Sequence, residues 1–232
     1  MIRARDLSVT LAGRRVLDHI EFNVDKGETV ALVGSNGAGK TTILRCLLGL
    51  VHFEGEIIVA GIDIRADPVE AKRHIGYMPQ VPAFCETRAA DNLAFLASLR
   101  GVKPDVVPGL LKRVGLQGHE SRPVRVFSTG MKQRLSLAAA LIGNPSILIL
   151  DEPTASLDLK GQADIMRLLV ELRGEGHTIL ISSHRSEEIR ALAAKITVLD
   201  EGKVVASGPL REVASRIWPE ENKAIPIRRF ES

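Results

Sequence analysis

A glycine-rich loop of eight residues lies between an apolar run at 30–33 and a helix-like run at 42–48. The loop and the first residue after it are Gly34, Ser35, Asn36, Gly37, Ala38, Gly39, Lys40, Thr41 and Thr42. They match G-x-x-x-x-G-K-[ST] in the strand, loop and helix setting that this pattern requires. Backbone N–H groups of such a loop converge on phosphates, while Lys40 can reach the β- and γ-phosphates and the Thr41 hydroxyl can ligate magnesium. The residues therefore predict a phosphate-binding loop rather than a chance glycine-rich turn.

Two adjacent acids, Asp151 and Glu152, directly follow the apolar run 147–150. Ligands of α/β sheets bind at the carboxyl ends of the strands. Because successive side chains of a strand alternate between faces, the two carboxylates are expected to have different tasks. We expect Asp151 to hold magnesium through water and Glu152 to orient or deprotonate an attacking water. The alternative is a pair of acids that merely ends a strand.

A third constellation, residues 127–134, precedes the two acids in the chain. Ser128 is a natural N-cap, Gly130 permits close approach of backbone, and the helix through Ile142 directs its positive end at this turn. These features predict a second anion site. As an isolated motif it is equally typical of a capped helix that binds nothing.

Short apolar strands alternate with amphipathic segments, which is the α/β pattern. The runs 30–33, 147–150 and 178–181 are typical of parallel strands buried on both faces, so they should lie at the centre of one sheet. Between the last two, a helix is predicted, with Gly174 as its stop signal. Its apolar positions repeat at helical spacing and are Ile165, Leu168, Leu169 and Leu172.

The ends and the middle of the chain have other patterns. Runs 2–9, 21–24 and 55–59 predict antiparallel strands, and a hairpin is predicted from 195–199 and 203–206. The stretch from about 82 to 145 reads as a helical insertion, with helical runs at 93–99, 110–114 and 133–142. The last dozen residues read as a loosely attached tail.

Composition excludes several classes of protein. Among 232 residues, 31 Lys plus Arg against 28 Asp plus Glu give a formal net charge of +3, too balanced for a nucleic-acid arm. The longest aliphatic run, 137–142, falls far short of the roughly 20 residues of a membrane span. No secretory signal is evident, and two isolated thiols, Cys46 and Cys85, fit a reducing compartment. The composition predicts a cytosolic protein.

The order of these motifs resembles the ATP-binding subunit of an ABC transporter over residues 1 to about 210. In chain order come the Walker A loop at 34–41, the Q-loop glutamine Gln80, the signature at 128–131, Walker B at 147–151, Glu152, a D-loop at Ser156, Leu157 and Asp158, and the switch histidine His184. Six motifs in register make coincidence negligible. Asp158 has a second interpretation, as the N-cap of the following helix.

The resemblance implies a head-to-tail dimer with two ATP molecules at its interface, each held by the P-loop of one subunit and the signature of the other. Ser128 and Gly130 would face the partner's γ-phosphate. Gln80 would touch magnesium, and His184 would contact the γ-phosphate and support hydrolysis together with Lys40 and Glu152. The segment from about 82 to 111 would dock the cytoplasmic helices of a permease.

Two departures from the family pattern bear on function. The signature is STGM where the family usually has SGGQ, a variant familiar from exporters of the ABC-2 type, so activity and export are expected. The family's adenine-stacking aromatic should lie just before residues 13–18, a stretch that contains Val16, a second candidate for nucleotide binding, and Leu11 stands at that position. Adenine is therefore expected to rest on an apolar but not aromatic surface.

These observations predict an α/β fold: a P-loop NTPase (RecA-like) core with an N-terminal antiparallel β subdomain and an inserted helical subdomain at about 82–145. The ABC ATPase domain would span 1–214 and a tail 215–232. The predicted function is a magnesium-dependent ATPase that binds no nucleic acid directly and works in pairs, as a peripheral protein on the cytoplasmic face of the cell membrane, to drive export through a separate permease. The alternatives are a soluble ABC ATPase that is not coupled to transport and a module that binds ATP without hydrolysing it.

Overall fold

The computed structural model describes residues 1–155 and 157–217 as two sheets surrounded by helices. The smaller sheet is antiparallel, with the order β2-β1-β4-β5. Its strands are β1 (Ile2–Leu11), β2 (Arg14–Val24), β4 (Glu54–Val59) and β5 (Ile62–Asp63). The antiparallel strands predicted near the N-terminus are confirmed, and all three are longer than predicted.

The larger sheet has six strands in the order β10-β9-β3-β8-β7-β6. They are β3 (Thr29–Gly34), β6 (Ile75–Met78), β7 (Ile147–Asp151), β8 (Thr178–Ser182), β9 (Lys195–Asp200) and β10 (Lys203–Pro209). All neighbouring pairs are parallel except β9 with β10, which form the predicted antiparallel hairpin. The predicted central strands are neighbours in the order β3-β8-β7. Every residue in these three strands is buried.

Helices cover both faces of this sheet and fill the connection between β6 and β7. They are α1 (Lys40–Leu47), α2 (Pro68–Arg73), α3 (Ala89–Leu99), α4 (Val107–Arg113), α5 (Thr129–Ala140), α6 (Leu159–Gly174), α7 (Ser186–Leu192) and α8 (Leu210–Ile217), with 3₁₀ turns at Pro104–Val106 and Val124–Val126. In the described part of the chain no helix is both long and apolar enough to cross a bilayer.

The core consists of two apolar clusters, one on each face of the parallel sheet. Along β3, Ala31 and Val33 belong to the cluster shared with helices α3 to α6, whereas Val30 and Leu32 belong to the cluster shared with α1 and the antiparallel sheet. This alternation is the period-two pattern of a strand buried on both faces. The parallel sheet is therefore the central layer, with helices α3 to α6 on one face and α1 with the antiparallel sheet on the other.

The inserted segment is helical, as its periodicity predicts, and it is tied to the sheet by the guanidinium of Arg100. Arg100, directly after α3, donates to the carbonyl of Ile142 at 2.9 Å and to the carbonyl of Ile75 at the start of β6. Burial lowers the pKa of Arg100 below its ordinary value. One side chain thus fixes the end of α3 relative to the parallel sheet.

Two predicted boundaries differ in the structure. Helix α6 continues through Gly174, and the left-handed residue after it is Gly176, with φ of 90°. Glycine is favoured where φ is positive, so Gly176 and not Gly174 provides the stop. At the C-terminal end, α8 extends to Ile217, past the boundary predicted at 214. The predicted tail from 218 onward lies outside the described residues.

Candidate nucleotide-binding and hydrolysis site

The glycine-rich loop joins the end of β3 to the first turn of α1. Gly37 and Gly39 have φ values of 88° and 105°, a region that other residues adopt only with strain. A Cβ atom on Gly39 would stand only 2.5 Å from Cδ2 of Leu17. The backbone conformation therefore favours glycine at position 39, and any other residue would also have to displace the buried Leu17 side chain. Helix α1 begins directly after Gly39, so its first N–H groups can face an anion.

Lys40 is buried at the base of this loop. Its Nζ donates to the carbonyls of Gly34 at 2.8 Å and Ser35 at 3.1 Å, and lies 3.7 Å from Oε1 of Glu152. Burial lowers the pKa of Lys40, and the carboxylates of Glu152 and Asp151 act in the opposite direction. The ammonium is thus held between the loop that would carry phosphates and the acid expected to act on water.

The predicted magnesium ligands Thr41 and Asp151 are brought together. The Thr41 hydroxyl donates to Oδ2 of Asp151 at 3.1 Å, and the Ser182 hydroxyl donates to Oδ1 at 2.5 Å. Hydroxyl and carboxylate oxygens are the hard donors that magnesium prefers, usually with waters and substrate phosphates completing its shell. The donor set therefore fits the predicted ion.

Glu152 has a left-handed backbone, with φ of 48°, and its N–H donates to the carbonyl and the hydroxyl of Ser182 at 3.1 and 3.0 Å. Nδ1 of His184 lies 3.1 Å from Oε1, to which it is hydrogen-bonded, and 2.9 Å from Oε2. Oε2 is buried and meets no hydrogen-bond criterion with the described residues. The His184 ring thus contacts both oxygens and fixes the carboxylate as a whole at the edge of the cleft, where it can act on a water.

A cleft of about 470 Å³ opens above these groups. Its lining residues are Val16, Ser35, Asn36, Gly37, Gly39, Lys40, Thr41, Thr42, Gln80 and Glu152. The structure therefore places Gln80 and Val16 in the same cleft as the loop. Leu11, at the end of β1 and 42% exposed, is outside the set of described residues that line the cleft.

The signature residues lie elsewhere. The hydroxyl of Ser128 accepts the N–H of Met131 at 3.2 Å and caps α5, so the predicted N-cap is present. Neither Ser128 nor Gly130 is among the described residues that line the cleft. Asp158 caps α6 by accepting the N–H of Gly161 at 2.8 Å, which is the second interpretation given to it above. Ser156 of the D-loop lies outside the described residues.

Three residues near the cleft were not singled out from the sequence. Ser182 bridges Asp151 and Glu152, Gln133 donates to the carbonyl of Gln80 at 3.1 Å, and Glu188 lies buried behind His184. Ser182 could have been found from its place at the end of the β8 run, beside the strand that carries Asp151. Gln133 and Glu188 look like ordinary helical polar residues in the sequence, so only their burial reveals them.

The fold and the cleft define a P-loop ATPase. The capped helix α5, the acid Glu152 and the histidine His184 follow the P-loop in the chain order of an ATP-binding cassette. A family model described as "ABC transporter" matches residues 17–155. The chain therefore belongs to the ABC transporter family, as an ATP-binding subunit with ATPase activity.

Similar proteins that have been named support this assignment. Lantibiotic transport ATP-binding protein SrtF of Streptococcus pyogenes is 38% identical over 207 residues, covering 88% of this chain and 89% of SrtF. Bacitracin transport ATP-binding protein BcrA of Bacillus licheniformis is 38% identical over 220 residues, covering 93% of this chain and 72% of BcrA. The predicted transport role is favoured over a soluble ABC ATPase, because these relatives are transport proteins.

Solved structures confirm the predicted fold. An ATP-binding subunit of an ABC transporter superposes with a TM-score of 0.86 at 29% identity, covering 97% of this chain and 95% of that chain. The dimeric post-hydrolysis structure of the ATP-binding cassette MJ0796, bound to ADP and Pi, superposes with a TM-score of 0.83 at 26% identity, covering 91% of this chain and 99% of that chain.

Proposed function

We propose that this chain hydrolyses magnesium-ATP as one half of a head-to-tail dimer and drives export through a separate integral-membrane permease. It would be a peripheral protein on the cytoplasmic face of the membrane. The observation that carries the proposal is that Glu152, which lines the cleft, contacts both Lys40 and His184, while Ser128 caps a helix outside the cleft. Because the signature residues 128–131 lie outside this cleft, they would contact the nucleotide bound by a second subunit.

Hydrolysis would be an in-line attack of water on the γ-phosphate. The Glu152 carboxylate accepts a proton or hydrogen bond from that water, while His184 holds the carboxylate in position. Lys40 and the N–H groups at the start of α1 stabilise the charge that develops on the phosphoryl oxygens. Thr41, Asp151 and Gln80 would hold magnesium, which would neutralise phosphate charge.

The dimer and the permease are supported by the properties of similar proteins. The MJ0796 cassette is dimeric in its ADP and Pi complex. A structure of cbiO1 from Clostridium perfringens, described as part of the ABC transporter complex cbiONQ, superposes with a TM-score of 0.82 at 30% identity, covering 92% of this chain and 90% of that chain. Export is supported by the STGM signature and by the lantibiotic and bacitracin transport names of the relatives.

The Glu152→Gln variant tests the hydrolytic assignment. It keeps the size of the side chain but replaces the carboxylate that acts on water, so ATP binding should persist while turnover is nearly abolished. Size-exclusion chromatography with magnesium-ATP should then show a trapped dimer. The control is Glu201→Gln, at an exposed turn position between β9 and β10, which should behave as wild type. A wild-type rate of phosphate release by Glu152→Gln would contradict the role given to Glu152.

A further inference from the structure

A buried carboxyl group that the mechanism above does not use lies behind the cleft. Glu188, in the first turn of α7, is 3% exposed. One of its oxygens, Oε1, accepts a hydrogen bond from the hydroxyl of Thr154 at 3.2 Å, and the other, Oε2, accepts one from the hydroxyl of Ser183. Both hydroxyl residues are also buried.

The two hydroxyls belong to the two loops that carry the hydrolytic pair. Thr154 is two residues after Glu152, and Ser183 immediately precedes His184. The Ser183 hydroxyl also accepts the N–H of Arg185, which closes the turn around His184. Glu188 therefore connects the loop after β7 to the loop after β8 from beneath.

Burial makes this arrangement costly unless the carboxyl is well bonded. It raises the pKa of Glu188, as does the nearby Glu152 carboxylate, whereas the two hydroxyls and Arg185 act in the opposite direction. An apolar side chain of similar size would fill the same space without that cost. The position is thus occupied by a group whose distinctive property is to bond both hydroxyls at once.

We propose that Glu188 is a positioning residue that holds His184 at hydrogen-bonding distance from Glu152. The proposal rests on the hydrolytic roles given above to His184 and Glu152, and it adds the residue that sets their geometry. Glu188 does not reach the cleft, so it acts only through the two loops. Loss of the bridge should slow hydrolysis while leaving the ATP-binding loop unchanged.

The first measurement compares Glu188→Leu with Glu188→Gln. Leucine cannot bond the hydroxyls, so kcat should fall about ten- to hundredfold, as expected when a catalytic group is misplaced, while KM for ATP stays near wild type. Glutamine can accept from one hydroxyl and donate to the other, so it should recover most of kcat. The matched control is Glu187→Leu, because Glu187 is an exposed neighbour in the same helical turn, and it should behave as wild type.

A double-mutant cycle with His184→Ala distinguishes positioning from a general structural role. If Glu188 acts through His184, Glu188→Leu should cause no further loss of single-turnover phosphate release in the His184→Ala background. Independent, multiplicative losses in the cycle, or a rise in KM with kcat unchanged, would overturn the proposal.

Two smaller variants cover the case in which Glu188→Leu does not fold. Ser183→Ala and Thr154→Val each remove one arm of the bridge and should each lower kcat with KM preserved. Wild-type kcat in both would overturn the proposal. The outcomes also distinguish the positioning role of Glu188 from the proposed function. If Glu152→Gln is inactive but Glu188→Leu has wild-type kcat, only the positioning role fails. If Glu152→Gln is active, the hydrolytic assignment itself is refuted.

Discussion

At the scale of single residues, the side chains expected to bind the phosphates are held more firmly than those expected to contact the base. Lys40 is held by a buried hydrogen bond to the carbonyl of Gly34 in the loop, and Thr41 by a partly buried one to Asp151. Val16, near the start of β2, lines the cleft, whereas Leu11, at the end of β1 on the other side of the hairpin turn, is exposed. Binding energy is therefore expected to come mainly from the phosphate groups, which ATP and GTP share.

The Leu11→Tyr variant measures this difference. Stacking of a base on an aromatic side chain contributes roughly 1–3 kcal/mol in nucleic-acid-binding proteins, so the variant should tighten ATP binding by a few-fold to about tenfold, with the lower end expected. Wild type should discriminate poorly between ATP and GTP. Calorimetric titration of both nucleotides provides the measurement, with Leu50→Tyr, an exposed position after the far end of α1, as the control. Unchanged affinity in Leu11→Tyr together with strong ATP preference in wild type would refute the idea.

At the scale of elements, α5 has two separate tasks at its first two turns. Ser128 caps its N-terminus, and Gln133, buried one turn later, donates to the backbone of Gln80. The helix therefore connects the signature to the loop that contains Gln80. This link is a contact between residues 53 positions apart in the chain.

The Ser128→Asp variant separates capping from the proposed contact with the nucleotide of the second subunit. Aspartate is as good an N-cap as serine, so thermal stability should change little, whereas Ser128→Ala should lose about 0.5–2 kcal/mol of stability. The added negative charge would face the γ-phosphate across the dimer, so Ser128→Asp should lose most ATPase activity. Thermal unfolding and phosphate release are measured on the same preparations. A fully active Ser128→Asp would show that Ser128 is only a cap.

Local patterns predicted most elements and the residues that are neighbours in the chain, such as the loop at 34–41 and the pair Asp151 and Glu152. They could not predict contacts whose partners are distant in sequence and chemically ordinary. Thr154 and Glu188 are 34 positions apart, and nothing in the helical pattern of α7 distinguishes Glu188 from the exposed Glu187. The stop of α6 was misplaced for a related reason, because two glycines lie close together and only backbone φ identifies the one that ends the helix.

At the scale of the whole molecule, the two edges of the parallel sheet carry different surfaces. The helical insertion follows β6 at one edge, and the β9 and β10 hairpin forms the other. The first edge is close to Gln80 in the chain and contains the exposed thiol of Cys85, whereas burial raises the pKa of the Cys46 thiol to about 12. A thiol-directed reagent should therefore modify Cys85 selectively.

A photo-crosslinker attached to Cys85 tests where the proposed permease docks. We expect links from this position to the integral-membrane protein that co-purifies with the native complex, because the segment follows Gln80 directly. The control carries the same reagent at Lys203 in a Cys85→Ser, Lys203→Cys protein, which places it at the opposite edge of the sheet. Links that form only from position 203 would overturn the assignment of the helical segment as the docking surface.

The adjacency of β7 and β8 has a consequence for how this chain can change over evolutionary time. Glu152 and His184 follow two hydrogen-bonded strands, in which Asp151 is paired with Ser182, so their separation starts from the roughly 4.8 Å spacing of neighbouring strands. That spacing is a property of the backbone ladder and not of any particular side chain. Substitutions that leave the two strands paired and the hydrogen bonds of Glu188 in place therefore keep the distance between the two groups, so the chemistry can be inherited while most of the surface diverges.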